Sequence, residues 1–285
     1  MMYKKKDSIG QTAGRRRRVD GVKGENGVKR MILAVCSLKG GVGCSTVAAG
    51  LAAAFARRGK KTLAVDLDPS LHSLDFFFGM QDRILFGLPS YLDGSIDAER
   101  LVCRDETLQD LYVCISSEGA EESGLKNAPE KLIELAEKED FGVVILDLPG
   151  RGREQLAAFT PFLDGIVVVC GQDAPSVYAA EKAAQELADS PVCARLVIDR
   201  FDISDLQSYA QGRTRALEII DQSRLPLLGI VPESYSVRRR CEEGLLSSMY
   251  EKEPDAPFMN IAARLCGENV PLFEGCGGEK IRKKL

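Results

Sequence analysis

Uninterrupted apolar runs of about five or six residues recur along the chain, separated by longer stretches that mix apolar and polar positions. The runs fall at 31–36, 62–66, 111–115, 142–147, 165–170, 194–199 and 226–231. Short, continuous and apolar on both sides, they predict strands buried on both faces. The intervening stretches predict helices at 46–58, 127–139, 152–160, 174–188, 205–222, 235–242 and 256–267. This alternation implies an α/β fold of three layers, with a mostly parallel, doubly wound sheet between helices. Residues 70–108 fit neither pattern. They hold Phe76-Phe77-Phe78-Gly79 and an apolar stretch from Ile84 to Leu92, for which core packing is favoured over a partner site.

Composition narrows the class. A chain of 285 residues, 45% of them hydrophobic, can bury one large core. Its nine cysteines stand at 36, 44, 103, 114, 170, 193, 241, 266 and 276, without a Cys-x-x-Cys pair, which predicts reduced thiols in a cytoplasmic protein. A single histidine, His72, argues against zinc hydrolysis and is expected to pack or face solvent. No apolar run approaches the length needed to cross a bilayer.

Charge separates the ends from the middle. Residues 1–30 hold ten Lys or Arg against three Asp or Glu, a net of +7, whereas the remainder carries −11. Two readings of this leader stand: a disordered basic arm attracted to anionic lipid or nucleic acid, or a segment preceding a start at Met31. The globular unit is expected over 31–273, followed by a basic tail at 274–285. There Ile281 and Leu285 alone are too few apolar residues for an amphipathic anchor.

The chemistry begins at Leu38-Lys39-Gly40-Gly41-Val42-Gly43-Cys44-Ser45-Thr46, between the first strand and the first helix. That placement is what a phosphate loop requires. Main-chain N–H groups of Gly40, Gly41, Val42 and Gly43, with the helix N-terminus, would cradle an anion. The motif Gly-x4-Gly-Lys-[Ser/Thr] has Leu38 at its first glycine and Cys44 at its lysine, while Ser45 keeps the hydroxyl that binds Mg²⁺. Downstream, one strand pattern ends in Asp66-Leu67-Asp68 and another in Asp147. Carboxylates at strand ends lie where α/β sheets bind ligands, and there they hold Mg²⁺ or orient water.

Together these motifs resemble the MinD/ParA family of deviant phosphate-loop ATPases, most closely its MinD branch. The resemblance covers about 31–273. It includes Asp68-Pro-Ser-Leu-His-Ser-Leu-Asp75, Leu111-Tyr-Val113, Asp147-Leu-Pro-Gly150, Leu228-Gly-Ile-Val-Pro-Glu-Ser-Tyr-Ser-Val237 and the segment from Ala263 to Phe273. It implies a nucleotide-dependent homodimer that binds ATP and Mg²⁺, with Lys39 as the family's extra lysine reaching phosphate across the interface. By the same resemblance, Ser45, Asp66 and Asp147 serve Mg²⁺, Asp66 and Asp68 belong to a hydrolytic switch, and Thr46, Asp199, Arg200, Pro232 and Glu233 line the nucleotide.

Three departures follow. Cys44 removes an ammonium, which implies weaker binding and slow or absent hydrolysis. Leu38 stands for a glycine at the loop entrance. Asp199 stands for an asparagine that reads the base, leaving ATP against GTP open, because an ionised carboxylate cannot donate. A thiol at a helix N-terminus beside Lys39 would have a lowered pKa and be redox-sensitive; the favoured reading is a small side chain filling space.

The leading expectation is an ATP-binding spatial regulator, positioning a septum or another structure, with a regulatory protein partner and possible peripheral contact with anionic membrane. The rivals are a non-hydrolysing scaffold of a pilus or polar-localisation system and a DNA-partitioning ATPase. The second rival needs a basic surface, for which Arg238-Arg239-Arg240 is a candidate and a solvated helix face the plainer explanation.

Overall fold

A computed structural model describes residues 30–116, 128–150, 152–203, 214–248 and 256–272. Its centre is an eight-stranded sheet in the order β3-β4-β2-β5-β1-β6-β7-β8. The strands are β1 Met31–Cys36, β2 Thr62–Asp66, β3 Cys103–Arg104, β4 Leu111–Ile115, β5 Val143–Asp147, β6 Gly165–Cys170, β7 Ala194–Phe201 and β8 Leu227–Pro232. All neighbours run parallel except the two-residue edge strand β3, which is antiparallel to β4.

Side-chain alternation divides the core into two halves. Ile32, Ala34 and Cys36 of β1 point to one face, together with Ile166, Val168 and Cys170 of β6. Leu33 and Val35, with Val167 and Val169, point to the other. Helices α3 Leu88–Leu92, α4 Ala98–Leu101, α5 Ala128–Lys138, α6 Arg153–Phe159, α7 Ala174–Glu186 and α8 Ala216–Ser223 cover the first face. Helices α1 Cys44–Arg57, α2 Leu74–Phe77, α9 Tyr235–Glu242 and α10 Ala256–Leu265 cover the second. The strands are continuously apolar because both faces are dry.

Helix α1 is alanine-rich because α10 presses close to it. A Cβ at Gly50 would lie 2.6 Å from the Phe258 ring. Burying ten consecutive residues, Val47 to Ala56, makes α1 the most enclosed helix by sequence run. It therefore holds the loop before it on a rigid base.

Some elements differ from the sequence pattern. The proposed helix over 205–222 is not continuous: Thr214 and Arg215 are non-helical, and α8 starts at Ala216, with the Arg215 N–H donating to Glu218. Residues 204–213 lie outside the described residues. Strand β7 runs two residues past its expected end, to Phe201. Between residues 70 and 108 three short helices and β3 form, and the aromatic run splits. Phe78 is buried, whereas Phe76 is 46% exposed. Arg30, counted with the basic leader, is 3% exposed and donates to the carbonyls of Phe141 at 2.9 Å and Ala136 at 3.0 Å. The rest of the leader and the tail beyond Leu272 lie outside the described residues.

Candidate functional site

The loop joining β1 to α1 follows the carboxyl end of the central strand. Gly41 and Gly43 adopt φ of 74° and 105°, values that favour glycine. Gly43 is also the N-cap of α1, and no side chain caps this helix end. Its free N–H groups and the helix dipole face an open cleft of about 630 Å³.

That cleft gathers residues from the ends of five strands. Lys39, Gly40, Gly41, Gly43, Cys44, Ser45 and Thr46 come from the loop and α1, Asp68 from beyond β2, and Asp147 from β5. Asp199 and Arg200 come from β7, and Pro232 and Glu233 from the end of β8. Two expected members are not in its wall. Val42 is 2% exposed and packs in the core beneath the loop. Asp66 is fully buried with both oxygens committed to main chain: Oδ1 accepts from Asp68 N at 3.0 Å, and Oδ2 from Ser73 N at 2.8 Å and Leu74 N at 3.1 Å. It anchors the segment that carries Asp68. Asp68 in turn accepts from Ser70 N at 2.9 Å.

Asp147 sits opposite Asp66 in the β2–β5 register. Burial, with the nearby Asp66 carboxylate adding to it, pushes its pKa well above the carboxylate range. The Ser45 hydroxyl hydrogen-bonds to it, while its Oδ1 has no partner. Among the described residues no group of three or more His, Cys, Asp or Glu could hold a metal alone. One orphaned carboxylate oxygen beside a serine hydroxyl instead suits Mg²⁺ arriving with phosphate oxygens that complete its shell. These residues fit that ion.

Across the cleft, Asp199 is 2% exposed and its Oδ2 lacks a partner. Burial lifts its pKa to about 7. A Cβ on Gly43 would stand 1.9 Å from this oxygen, so the loop passes close over Asp199 and only glycine fits. The neighbouring Arg200 has φ of 51° and reaches across to donate to the Gly41 carbonyl.

Three side chains of the loop have the following surroundings. The Lys39 ammonium donates to Asp173 Oδ1 at 2.7 Å and Ser176 Oγ at 2.9 Å, at the N-terminus of α7. Cys44 does not become an acidic thiol: burial, then the Asp147 carboxylate, raise its pKa well above the ordinary value, so the space-filling role is the one its surroundings favour. Leu38 turns away from the cleft and, with Leu156 and Leu187, lines a separate cavity of about 360 Å³ on the opposite face.

Sequence reasoning missed Asp173 and Ser176. Asp173-Ala-Pro-Ser176 after a buried strand is a capping pattern that could have drawn notice, since Asp173 accepts from Ser176 N and Pro175 lies in the first turn. It also missed the wall made by α9, which brings Val237, Arg238, Cys241 and Glu242 to the cleft. The three consecutive arginines there do not form one patch. Arg238 pairs with Glu233 at 3.4 Å, Arg239 with Glu243 at 2.7 Å, and Arg240 donates to the Ser248 carbonyl at 2.8 Å. His72 lies outside the cleft wall, in keeping with a packing role.

Comparison with known proteins agrees with this geometry. The family of the CobQ/CobB/MinD/ParA nucleotide binding domain matches residues 33–247. The septum site-determining protein MinD of Synechocystis sp. is 29% identical over 269 residues, covering 89% of this chain and 98% of that protein. The structure of a MinC:MinD cell division protein complex from Aquifex aeolicus has a TM-score of 0.74 at 20% identity, covering 86% of this chain and 98% of that one. MinD from Pyrococcus horikoshii complexed with Mg-ADP has a TM-score of 0.69 at 20% identity, over 83% and 96%.

Proposed function

The chain belongs to the CobQ/CobB/MinD/ParA nucleotide-binding domain family, and on that premise we propose that it is a MinD-like, ATP-binding spatial regulator with slow or absent hydrolysis. The observation that carries this reading is the cleft itself: uncapped main-chain N–H groups of loop and helix face the orphaned Asp147 oxygen and the Ser45 hydroxyl. In this reading the amides of Gly40, Gly41 and Gly43 bind phosphate, while Ser45 and Asp147 hold Mg²⁺. Bound with the nucleotide, the ion neutralises phosphate charge. Asp66 positions the switch segment through its backbone hydrogen bonds, and Asp68, in the cleft wall, would orient the attacking water. The expected magnesium contact of Asp66 passes to Ser45 and Asp147, because both Asp66 oxygens are already used.

Nucleotide would favour a homodimer that recruits a regulatory protein, as the relative solved with MinC suggests by analogy. For this, Lys39 must exchange Asp173 and Ser176 for phosphate of the facing copy. No helix among the described residues is long and apolar enough to cross a membrane. Contact with anionic lipid would therefore be peripheral.

The non-hydrolysing scaffold remains the second reading, favoured by Cys44 at the lysine position and by the engagement of Lys39. Titrating Mg-ATP while following dimer formation and phosphate release separates the two. A dimer with turnover supports the regulator, a dimer without phosphate release supports the scaffold, and no heat with Mg-ATP or Mg-GTP on folded protein removes both.

A further inference from the structure

The geometry points to Arg200 as the residue that supplies, within one chain, the phosphate-loop positive charge absent at Cys44. This rests on reading the cleft as a nucleotide site. The motif's lysine normally brings a cation to the phosphates from the first turn of the helix, and here a half-buried cysteine, whose thiol cannot carry a positive charge, occupies that place. Three cationic side chains line the cleft among the described residues: Lys39, Arg200 and Arg238. Lys39 is held by Asp173 and Ser176. Arg238 is paired with Glu233 at the far wall. Arg200 is the one of the three whose side chain bonds to the main chain of the glycine loop, donating to the Gly41 carbonyl.

Three features of Arg200 suit the task. Its backbone is left-handed, at φ 51°, a conformation that a long side chain rarely adopts and that surrounding structure must hold in place. From β7 the side chain reaches back to the loop. Its side chain is 50% exposed and its guanidinium presents five N–H donors, so it can keep Gly41 with one and offer others to phosphate. The one carboxylate paired with it among the described residues, Asp199 at 3.9 Å, is pushed toward the neutral form by burial and leaves the charge available.

The test compares the full chain with Arg200→Ala, Arg200→Lys, Cys44→Lys and the Cys44→Lys/Arg200→Ala double variant. Calorimetry reads Mg-ATP, ligand-observed NMR reads adenosine, and thermal melting reads the fold. Arg200→Ala is expected to weaken Mg-ATP on the order of 10- to 100-fold while leaving adenosine binding and the melting temperature unchanged. Arg200→Lys should recover part of the loss. In the Cys44→Lys background the same truncation should cost less than about 3-fold, because the charge is already supplied. Should Arg200→Ala fail to fold, Arg200→Gln, which keeps part of the stem without the charge, takes its place. Unchanged Mg-ATP affinity, equal loss of adenosine, or the same loss in both backgrounds overturns the inference while leaving the nucleotide site standing. Failure of the unaltered chain to bind Mg-ATP or Mg-GTP overturns the site, and the inference with it.

Discussion

Two similarly buried carboxylates, Asp66 outside the cleft wall and Asp199 within it, are used to opposite effect. At the β2 end, Asp66 is fully enclosed yet satisfied, with three main-chain N–H groups on its two oxygens. At the β7 end, Asp199 is 2% exposed and keeps an oxygen without a partner. The first fixes a segment of chain; the second leaves free energy to be released by whatever completes it. Burial therefore does not distinguish a structural acid from a functional one, and hydrogen-bond satisfaction does. Asp147, between them, shares one feature with each: a serine hydroxyl on one oxygen and nothing on the other.

This contrast can be broken first at its structural end. Asp66→Ala would leave three main-chain N–H groups without their acceptor, that of Leu74 buried and those of Asp68 and Ser73 partly buried, and should cost about 3–5 kcal/mol of stability, read by urea unfolding without nucleotide. A loss under 1 kcal/mol would mean the segment is held by other means. Next is Gly43→Ala, whose Cβ would overlap Asp199 at a positive φ. A loss of about 2–3 kcal/mol is expected, and pairing it with Asp199→Ala should return part of that, as a double-mutant cycle would record.

The functional end is sharpened by pH. Asp199 titrates near 7 when folded and near 4 when unfolded, so the stability its neutral form provides is complete below about pH 4 and is lost as pH rises through 7. Among the described residues, Arg200, Glu233, Cys44 and Cys241 are the charged or titratable groups acting with it. Asp199→Asn should remove that loss, giving about 2 kcal/mol of relative gain at pH 8 over pH 5 in denaturant titrations, after discounting for the favourable Arg200 charge. A pH profile identical to that of the unaltered chain would show that Asp199 does not titrate in this range. The smallest effect belongs to Asp173→Ala. Its pair with Lys39 is partly exposed on both sides and contributes little, so the expected loss of about 1 kcal/mol is that of the α7 N-cap, while Lys39 keeps only Ser176. If the dimer reading is right, nucleotide-dependent association should then begin at lower Mg-ATP concentration.

Much of this architecture was readable in one dimension. Strand positions, the loop, the ligand-bearing strand ends and the family all follow from patterns spanning fewer than about 15 residues. The misjudged helix over 205–222 failed for a local reason: apolar spacing continues through Thr214-Arg215, but the capping arrangement of Arg215 with Glu218 begins a new helix there. Edge strand β3 was invisible because two residues carry no period. Within the site, residue types were legible while their pairings were not. Nothing near position 66 indicates that its carboxylate would be spent on Ser73 and Leu74, and nothing near 44 indicates that burial would raise rather than lower the thiol pKa.

By itself the order of amino acids determined a glycine turn between a buried strand and an alanine-rich helix, with acids at neighbouring strand ends, because those features depend on nearby residues and on alternation. Only the tertiary structure decided that Lys39 rests on Asp173, that Arg200 lies on Gly41, and that Gly43 runs over Asp199. Those contacts join residues more than a hundred positions apart, and sheet order alone sets which strand ends meet. Charge interactions and desolvation act through space, so they take their values only once the chain has closed around them.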